Sequence, residues 1–446
     1  MFISPKTREL AEQAEKKLAP VFAEIENVAR VNTEHVLDCF KECSVSESFF
    51  TPSTGYGSGD RGRDALDVLA AKIFRAEAGF IRPSLLSGTH TLAVALYGIL
   101  RPGDIMLSIT GRPYDTLTKV LGLEREQNND PKISSEGSLR DLGVEYHQIE
   151  LKEDAFTAEQ PINIEAMVDF LRKHGEKVKM VYVQRSRGYA FRPALTPSQI
   201  RRAAYVVETT ARELGIRKPV FMVDNCYGEF VETTEPCYVP EGVTDESAAD
   251  IIAGSLIKNP GGGMADIGGY IVGEAECVRL CGNRLTAPGI GMDIGASLGQ
   301  NRNIIKGLFY APHTVSQALK TACLTACLFE NAGYEVSPKA GDHRSDIVQI
   351  VTCGSRESLL NFCRGIQSAS PIDSYVVPCA AEMAGYEDEV VMAAGAFVEG
   401  SSIELSADGP MREPYYAYMQ GGLTYESSRL AIMNAVEMME KSRDLH

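Results

Sequence analysis

Two apolar stretches of the sequence end in residues that can do chemistry. The segment DIIAGSLIKNPGGG (250–263) carries Lys258 after an apolar run and before three glycines, and PVFMVD (219–224) ends in Asp224. A lysine at the end of a buried strand, beside a glycine-rich turn, has the setting of a Schiff-base lysine. For the lysine alone, a surface turn is the commoner alternative. Because parallel strands end at one crevice, the pattern predicts that Asp224 and Lys258 face the same ligand.

A third segment predicts a phosphate site. In LLSGTHTLAVAL (85–96), Ser87, Gly88 and Thr89 stand just before an apolar helical pattern. The first N–H groups of a helix have no partner within the helix, and glycine lets a ligand approach the backbone closely. Gly88 and Thr89 are therefore predicted to bind an anion. His90 either stacks on a ligand or begins the helix, and the second is the commoner situation.

A fourth segment, Gly57–Gly62 (GSGDRG), matches the G-x-G-x-x-G pattern of dinucleotide-binding proteins. That fingerprint needs an apolar strand just before it, and the preceding FFTPSTGY is interrupted by a proline and a glycine. The alternative is a flexible loop from which Tyr56, Arg61 and Arg63 reach an anion. An NAD-dependent or non-catalytic α/β protein is kept as the rival interpretation.

The elements that must position these residues alternate along the chain. Between about residues 64 and 310, helical stretches alternate with short apolar runs, as in a parallel sheet covered by helices on both faces. The fold class is therefore α/β with a mostly parallel central sheet. Helices are predicted near 65–77, 90–100, 163–174 and 196–215, and strands near 104–110, 180–184, 219–224 and 250–256.

The pattern changes at both ends of this α/β region. Residues 5–43 have helical spacing and lead into the glycine-rich loop, which predicts an N-terminal arm over residues 1–63. A large α/β domain is predicted over 64–310. The rest, 311–446, has a long helix, an apolar strand, a second helix, a β-rich segment and a closing helix, which predicts a smaller α+β C-terminal domain.

Composition limits the classes of function. With 44 Lys and Arg against 60 Asp and Glu, the net charge of −16 repels a nucleic-acid backbone or an anionic membrane surface. The cysteines, 11 in number, include pairs spaced four residues apart as on one helix face, which predicts reduced, buried thiols and no zinc site. The histidines are dispersed, and no metal site is predicted. Because no apolar run approaches a membrane span, the expected location is the cytoplasm.

Taken together, the motifs resemble a known enzyme family. The sequence resembles the fold-type-I pyridoxal-phosphate (PLP) enzymes of Cys/Met metabolism, the group of methionine γ-lyase and the cystathionine lyases. The segments that carry the similarity are GYGSGDRGRD, SGTHT, QRSRGY, VDNCYGEF and GSLIKNPGGG. The similarity is closest to the aluminium-resistance or carbon–sulfur lyase branch and covers nearly the whole chain. It implies the PLP-dependent transferase fold of the aspartate aminotransferase type, with pyridoxal 5'-phosphate as cofactor.

The resemblance also implies roles for single residues. Lys258 would hold PLP as a Schiff base, and Asp224 would pair with the pyridine nitrogen so that the ring remains an electron sink. Gly88 and Thr89 would donate backbone N–H groups to the phosphate. Ser255, three residues before the lysine, would add a hydroxyl group.

Three further residues have implied roles around the substrate. Tyr114 would stack on the cofactor ring and help the leaving group to depart, although a core or loop tyrosine is the alternative. Gln184 would contact the phenolic oxygen of PLP, where better-known relatives use Asn. Arg412, in SADGPMREPY, is the expected ligand of the substrate α-carboxylate, although the motif around it departs from that of the lyases.

The family also implies an active site shared between subunits, with the N-terminal arm (1–63) contributing to the site of the neighbouring subunit. Tyr56 and Arg61, with Arg63 as the alternative arginine, would reach the cofactor phosphate of a neighbouring subunit in a homodimer or homotetramer. The implied reaction eliminates a thiol from a sulfur-containing L-amino acid of the cystathionine, cysteine or methionine type, giving a keto acid and ammonia. A γ-replacement transferase has the same core residues and is the near alternative. The motifs do not distinguish β- from γ-elimination.

Overall fold

The computed structural model describes residues 3–123, 136–383 and 386–443. None of the helices within these ranges is both long and apolar enough to cross a membrane. The helices are α1 (Pro5–Glu42), α2 (Arg61–Ile73), α3 (Gly88–Ile99), α4 (Asp115–Leu121), α5 (Ile164–His174), α6 (Pro197–Leu214), α7 (Ala275–Leu285), α8 (Asn301–Asn331), α9 (Arg356–Gln367) and α10 (Tyr425–Arg443). The strands are β1 (Ala78–Arg82), β2 (Ile105–Ser108), β3 (Glu145–Gln148), β4 (Val178–Gln184), β5 (Val220–Asp224), β6 (Ile251–Ser255), β7 (Gly269–Gly273), β8 (Val336–Ser337), β9 (Gln349–Thr352), β10 (Val390–Ala393), β11 (Ser406–Pro410) and β12 (Tyr416–Gln420).

The chain folds into two compact units. The parallel-sheet unit consists of His35–Leu256 and Ile267–Ile305. The antiparallel-sheet unit consists of Met1–Glu34, Ile257–Asp266 and Lys306–His446. The division predicted from sequence, at residues 63 and 310, stays a prediction.

The parallel-sheet unit contains a sheet of seven strands in the order β1-β7-β6-β5-β4-β2-β3. The pairs β6/β5, β5/β4, β4/β2 and β2/β3 are parallel, and β7 runs antiparallel to both of its neighbours. Every residue of β2, β6 and β7 is buried, as expected for strands covered on both faces. The predicted α/β class with a mostly parallel sheet is confirmed.

Local sequence signals explain where the helices of this unit begin and end. Thr196 and Gln199 form a capping box at the start of α6, and Pro197 occupies its first turn. Gly215 ends the same helix in the left-handed conformation, with φ of 65°. The predicted helix at 196–215 is therefore confirmed, because its signals are local to the chain.

The antiparallel-sheet unit has a five-stranded sheet in the order β10-β11-β12-β9-β8, with all pairs antiparallel. Its core joins apolar residues of the sheet to those of α8, α9 and α10 and to the first part of α1. Glu15 of α1 accepts hydrogen bonds from Arg429 at 2.7 Å and from the Tyr425 hydroxyl at 2.8 Å. The first part of α1 thus packs on α10 of the same chain. The proposal that residues 1–63 serve a neighbouring subunit stays a prediction.

Five of the six paired cysteines lie on helices, and the sixth, Cys43, lies in the turn after α1. All six are free thiols, and five of them are buried. Burial raises the pKa of the Cys277 thiol to about 12, so this thiol stays protonated and unreactive near neutral pH. Cys39 lies on α1 and Cys43 directly follows it, whereas Cys277 and Cys281 lie on α7, and Cys323 and Cys327 on α8.

Replacement of Gly365 by alanine tests the close contact between α9 and α10. A Cβ at Gly365 would lie 2.5 Å from Cα of Ala435, so one helix would have to move. We expect Gly365→Ala to destabilise the protein by about 1–3 kcal/mol, even though alanine favours helix formation. Gly341→Ala in the same unit is the control, because its Cβ would meet nothing within 4 Å. Equal thermal unfolding midpoints for the two variants would contradict this packing.

Candidate functional site

The carboxyl ends of three parallel strands bring predicted site residues together. Gln184, the last residue of β4, is paired in register with Asp224, the last residue of β5. Asp224 is in turn paired with Ala253 of β6, and Ser255 ends that strand two residues later. Gln184, Asp224 and Ser255 therefore lie at one edge of the sheet, as the strand pattern predicts.

The Asp224 carboxylate is held in the protein interior, where only 6% of the residue is exposed. Its Oδ1 accepts a hydrogen bond from the backbone N–H of Cys226 at 3.1 Å, and its Oδ2 accepts one from the Tyr182 hydroxyl at 3.5 Å. Burial, and after it the charge of Asp224, raise the pKa of Tyr182 well above its ordinary value. Tyr182 thus remains a hydrogen-bond donor to the carboxylate. A buried, oriented carboxylate of this kind suits a cationic partner.

Ser255 supplies a buried hydroxyl that the described part of the chain does not satisfy. The residue is 1% exposed, and its Oγ has no hydrogen-bond partner among the described residues. Buried polar atoms without a partner are rare and costly in folded proteins. This hydroxyl lies at the carboxyl edge of the sheet, and its predicted role in cofactor binding stays a prediction.

The start of α3 provides backbone donors for an anion. Ser87 caps the helix, and its Oγ accepts a hydrogen bond from the backbone N–H of His90 at 3.1 Å. Gly88 and Thr89 precede the capped amide, so their N–H groups belong to the first turn, where the helix itself offers no acceptor. The positive end of the helix dipole adds to the attraction of an anion at this place.

Side-chain hydrogen bonds stabilise the turn that leads into α3. The Nδ1 atom of His90 accepts a hydrogen bond from the backbone N–H of Leu86 at 3.1 Å. The hydroxyl groups of Thr89 and Thr116 are hydrogen-bonded at 2.7 Å. His90 therefore helps to begin the helix, which is the commoner of the two alternatives weighed from sequence.

Gln184 and Tyr114 are directly connected. The Oε1 atom of Gln184 accepts a hydrogen bond from the backbone N–H of Tyr114 at 2.7 Å, and its Nε2 donates to the carbonyl of Ser186 at 3.0 Å. The ring of Tyr114 packs edge-on against Tyr189, with 5.3 Å between the ring centroids. The Gln184 side chain thus fixes the start of α4, where Tyr114 is the N-cap residue. Its predicted contact with a cofactor oxygen stays a prediction.

The glycine-rich loop holds its two arginines in different ways. Arg63 is buried, and its Nη1 donates to the carbonyl groups of Gly57 at 2.9 Å and Gly295 at 3.3 Å. Arg61 begins α2 and is exposed, and Tyr56 is 77% exposed. Of the two arginines, Arg61 is therefore the one whose side chain faces solvent on this chain.

The structural surroundings of the Gly57–Gly62 segment disagree with a dinucleotide fingerprint. The segment follows a short 3-10 helix at Glu47–Phe50, and its last two residues are the first two of α2. No strand occurs in the described residues 3–60, and β1 comes only after α2. The apolar strand that such a fingerprint requires is therefore missing from this part of the structure.

Lys258 lies at a tightly fixed turn in the antiparallel-sheet unit. It follows the last residue of β6 by three positions, and its carbonyl accepts a hydrogen bond from the backbone N–H of Gly261 at 3.2 Å. Gly262 has a left-handed φ of 53°, and a Cβ there would lie 2.6 Å from the carbonyl oxygen of Gly307 in α8. Glycine is thus required at position 262 both by its conformation and by the close approach of α8.

The antiparallel-sheet unit contains two arginines of contrasting environment. Arg412, the predicted carboxylate ligand, is exposed in the β11–β12 turn and forms an ion pair with Asp388 at 2.9 Å. Arg344, which sequence reasoning missed, is 7% exposed, and its Nη2 donates to Oε1 of Gln349 at 2.7 Å. Its Nε and Nη1 have no hydrogen-bond partner in the part of the chain that the structure describes. The available sequence signal is an arginine five residues before the first residue of β9.

Comparison with known proteins identifies the family to which the sequence is similar. The model of the family "Methionine gamma-lyase" matches residues 7–440. The uncharacterized protein YnbB of Bacillus subtilis (strain 168) is 44% identical over 435 residues, which cover 97% of each chain. A carbon-sulfur lyase involved in aluminum resistance from Clostridium novyi NT is 42% identical, with a TM-score of 0.87, and the match covers 97% of this chain and 96% of that chain. These matches confirm the resemblance inferred from the motifs.

Replacement of Ser255 by alanine tests the unsatisfied hydroxyl. Because its Oγ has no partner among the described residues, we expect Ser255→Ala to leave the free energy of unfolding of the cofactor-free protein unchanged or raised. Ser108→Ala is the matched control at the end of β2, since the buried Ser108 hydroxyl donates to the carbonyl of Gly111 at 2.6 Å. That control should lose about 1–3 kcal/mol in denaturant unfolding. A comparable loss for Ser255→Ala would show that its hydroxyl is satisfied within the chain.

Proposed function

The chain belongs to the methionine gamma-lyase family, and from this premise we propose that it is a PLP-dependent carbon–sulfur lyase of fold type I. It would release a thiol from a sulfur-containing L-amino acid and leave a keto acid and ammonia. The observation that carries the proposal is the buried Asp224 carboxylate at the carboxyl end of β5, in register with Gln184 and β6. A surface acid would be of little use here, because water would compete for the cation that it stabilises.

The residues at this edge of the sheet fit the chemical groups of PLP. The first-turn N–H groups of Gly88 and Thr89 and the unsatisfied hydroxyl of Ser255 are donors suited to a phosphate. The Asp224 carboxylate is an acceptor suited to a protonated pyridine nitrogen. When bound, PLP supplies an electron-withdrawing ring that stabilises negative charge at the substrate Cα.

We assign the proton transfers to two side chains. Lys258 would hold the cofactor through Nζ, and the same nitrogen, when free, would take the Cα proton. Tyr114 would donate its hydroxyl proton to the departing sulfur. Asp224 would keep the proton on the pyridine nitrogen throughout.

We propose Arg344, in place of Arg412, as the ligand of the substrate α-carboxylate. A guanidinium binds a carboxylate best through two parallel N–H groups that water does not reach. Arg344 is buried with Nε and Nη1 unsatisfied within the described residues, whereas Arg412 is exposed and paired with Asp388. The buried arginine therefore has donors to offer a carboxylate, and the exposed one already has an anionic partner.

The subunit arrangement is also a proposal. We infer that Tyr56 and Arg61 reach the cofactor phosphate of a second copy in a homodimer or homotetramer. Their exposure on this chain supports the assignment, and the internal hydrogen bonds of Arg63 favour Arg61 over Arg63. A dimer would then be needed for activity.

Replacement of Lys258 tests the proposed function. We expect Lys258→Ala to release keto acid from L-cystathionine, L-cysteine or L-methionine about 10²- to 10⁴-fold more slowly than the unchanged enzyme, or not at all, because the general base is lost. Lys152→Ala, at an exposed lysine, should keep the full rate. A Lys258→Ala enzyme that retains the rate of the Lys152→Ala control would refute the assignment.

Product analysis with L-cystathionine separates the remaining alternatives. Elimination at Cβ of the cysteine half gives pyruvate and homocysteine, and elimination at Cγ of the homocysteine half gives 2-oxobutyrate and cysteine. A γ-replacement transferase would instead form a new thioether when a second thiol is supplied. The lyase proposal predicts keto acid as the main product in the presence of added thiol, and a thioether as the main product would favour the transferase.

Arg344 and Arg412 can be compared directly in kinetics. We expect Arg344→Lys to raise KM by about 10- to 100-fold, because a lysine cannot make the paired hydrogen bonds, each worth about 1.5–3 kcal/mol to a charged group. Arg412→Lys should leave KM unchanged. A raised KM for Arg412→Lys, with Arg344→Lys unaffected, would restore the assignment made from sequence.

A further inference from the structure

A buried ion network lies directly behind the carboxyl ends of β4 and β5. Arg185, the residue after Gln184, is fully buried, and its Nη1 donates to Oδ1 of Asn225 at 2.9 Å and to Oε2 of Glu235 at 3.0 Å. Its Nη2 donates to Oε1 of Glu232 at 3.4 Å. We call Arg185, Asn225, Glu232 and Glu235 the buried ion network.

The network holds a strained segment in place. Tyr227 and Phe230 have φ values of 72° and 61°, in the left-handed region that non-glycine residues seldom adopt. The carboxylate of Glu235 accepts hydrogen bonds from the backbone N–H of Phe230 at 2.9 Å and from Nδ2 of Asn225 at 3.0 Å. Strain of this kind persists only where surrounding contacts enforce it, and it concentrates at functional sites.

The strained residues Tyr227 and Phe230 lie in the turn that directly follows Asp224. Arg185 donates its backbone N–H to the carbonyl of Asp224 at 3.0 Å, and Asn225 donates its own to the carbonyl of Ala253 at 3.0 Å. The N–H of Cys226, the next residue, is the donor to the Asp224 carboxylate at 3.1 Å. The direction of that donor follows from the turn that the network fixes, so the network determines how the carboxylate is oriented.

Two glycines make room for buried side chains in and around the network. A Cβ at Gly228 would lie 2.5 Å from Cδ and Nε of Arg185. A Cβ at Gly254 would lie 2.6 Å from the Tyr270 ring and 2.7 Å from Oε1 of Glu229. Glycine at these two positions lets the charged groups come together. Since buried ion pairs give little net stability, positioning explains the network better than stabilisation does.

We propose that the buried ion network positions the Asp224 carboxylate and thereby keeps the pyridine nitrogen of bound PLP protonated. Arg185 and Glu235 are positioning residues in this account, because they act through the turn after Asp224. The inference rests on the proposed function. It assigns a role to residues that the motif resemblance leaves without one.

The test is Glu235→Gln in the holoenzyme loaded with PLP that carries nitrogen-15 in its ring. The new amide has one oxygen and one NH2 group, so in one orientation its NH2 would face Nη1 of Arg185 and Nδ2 of Asn225, and in the other the backbone N–H of Phe230. In either orientation a donor would face a donor, and the turn would shift. We expect the ring nitrogen resonance, measured by solid-state NMR, to move from the protonated position of the unchanged enzyme toward the neutral position. We also expect kcat to fall about tenfold, with KM within a factor of about three.

Asp250→Asn is the matched control. Asp250 is 3% exposed, pairs with Lys218, and accepts a hydrogen bond from the backbone N–H of Phe221 at 2.7 Å. It is a buried carboxylate paired with a cation, and it lies at the opposite end of β5 and β6 from Asp224. Asp250→Asn should lower thermal stability as Glu235→Gln does, and should leave the nitrogen resonance and kcat unchanged.

Each outcome decides between positioning and structural roles. If Glu235→Gln loses stability but keeps the protonated resonance, the network is structural only and the proposal is wrong. If Glu235→Gln does not fold, Arg185→Lys decides, because it keeps the charge but loses the forked contact, and its resonance should shift in the same direction. If the unchanged protein binds no PLP, the proposed function itself fails, and that result is distinct from a resonance that does not move.

Discussion

The parallel register of β4, β5 and β6 positions the residues on which the proposed chemistry depends. In this register Gln184, Asp224 and Ser255 end three neighbouring strands at one edge. A shift of one residue would turn each side chain to the other face of the sheet. Because β6 is buried along its whole length, alternation of polar and apolar residues does not set its register. The backbone ladder and the turns after each strand must do so, and the buried ion network lies at one of these turns.

The buried charges of the protein include both acidic and basic side chains, although the chain as a whole is strongly acidic. The chain carries a net charge of −16, yet it buries several charged side chains, among them Asp224, Arg185 and Arg344. Asp224 is solvated by a tyrosine hydroxyl and a backbone N–H, and Arg185 by two carboxylates and an amide. Both Nη atoms of Arg185 are paired, and only its Nε has no partner among the described residues, whereas Arg344 has no partner there for Nη1 or Nε. A guanidinium whose two Nη atoms are both paired suits positioning, and one with an open Nη suits ligand binding.

Sequence reasoning succeeded where the signal is local. The strand ending in Asp224 is a continuous apolar run, and α6 has its capping box and closing glycine within twenty residues. The antiparallel direction of β7 could not be predicted, because a short run bounded by glycines does not reveal its partner strands. Arg344 was missed because burial without a partner is a property of the folded chain. The contact between Arg185 and Glu235 joins residues 50 positions apart, and the sequences around them do not predict it.

The central claim is that Lys258 carries the cofactor. Reduction of the purified holoenzyme with borohydride fixes a cofactor that is bound to a lysine through a C=N bond, and peptide mass spectrometry then locates it. The account predicts a phosphopyridoxyl group on the peptide that contains Lys258. A group on a different lysine, or none in protein that has been saturated with PLP, would contradict it.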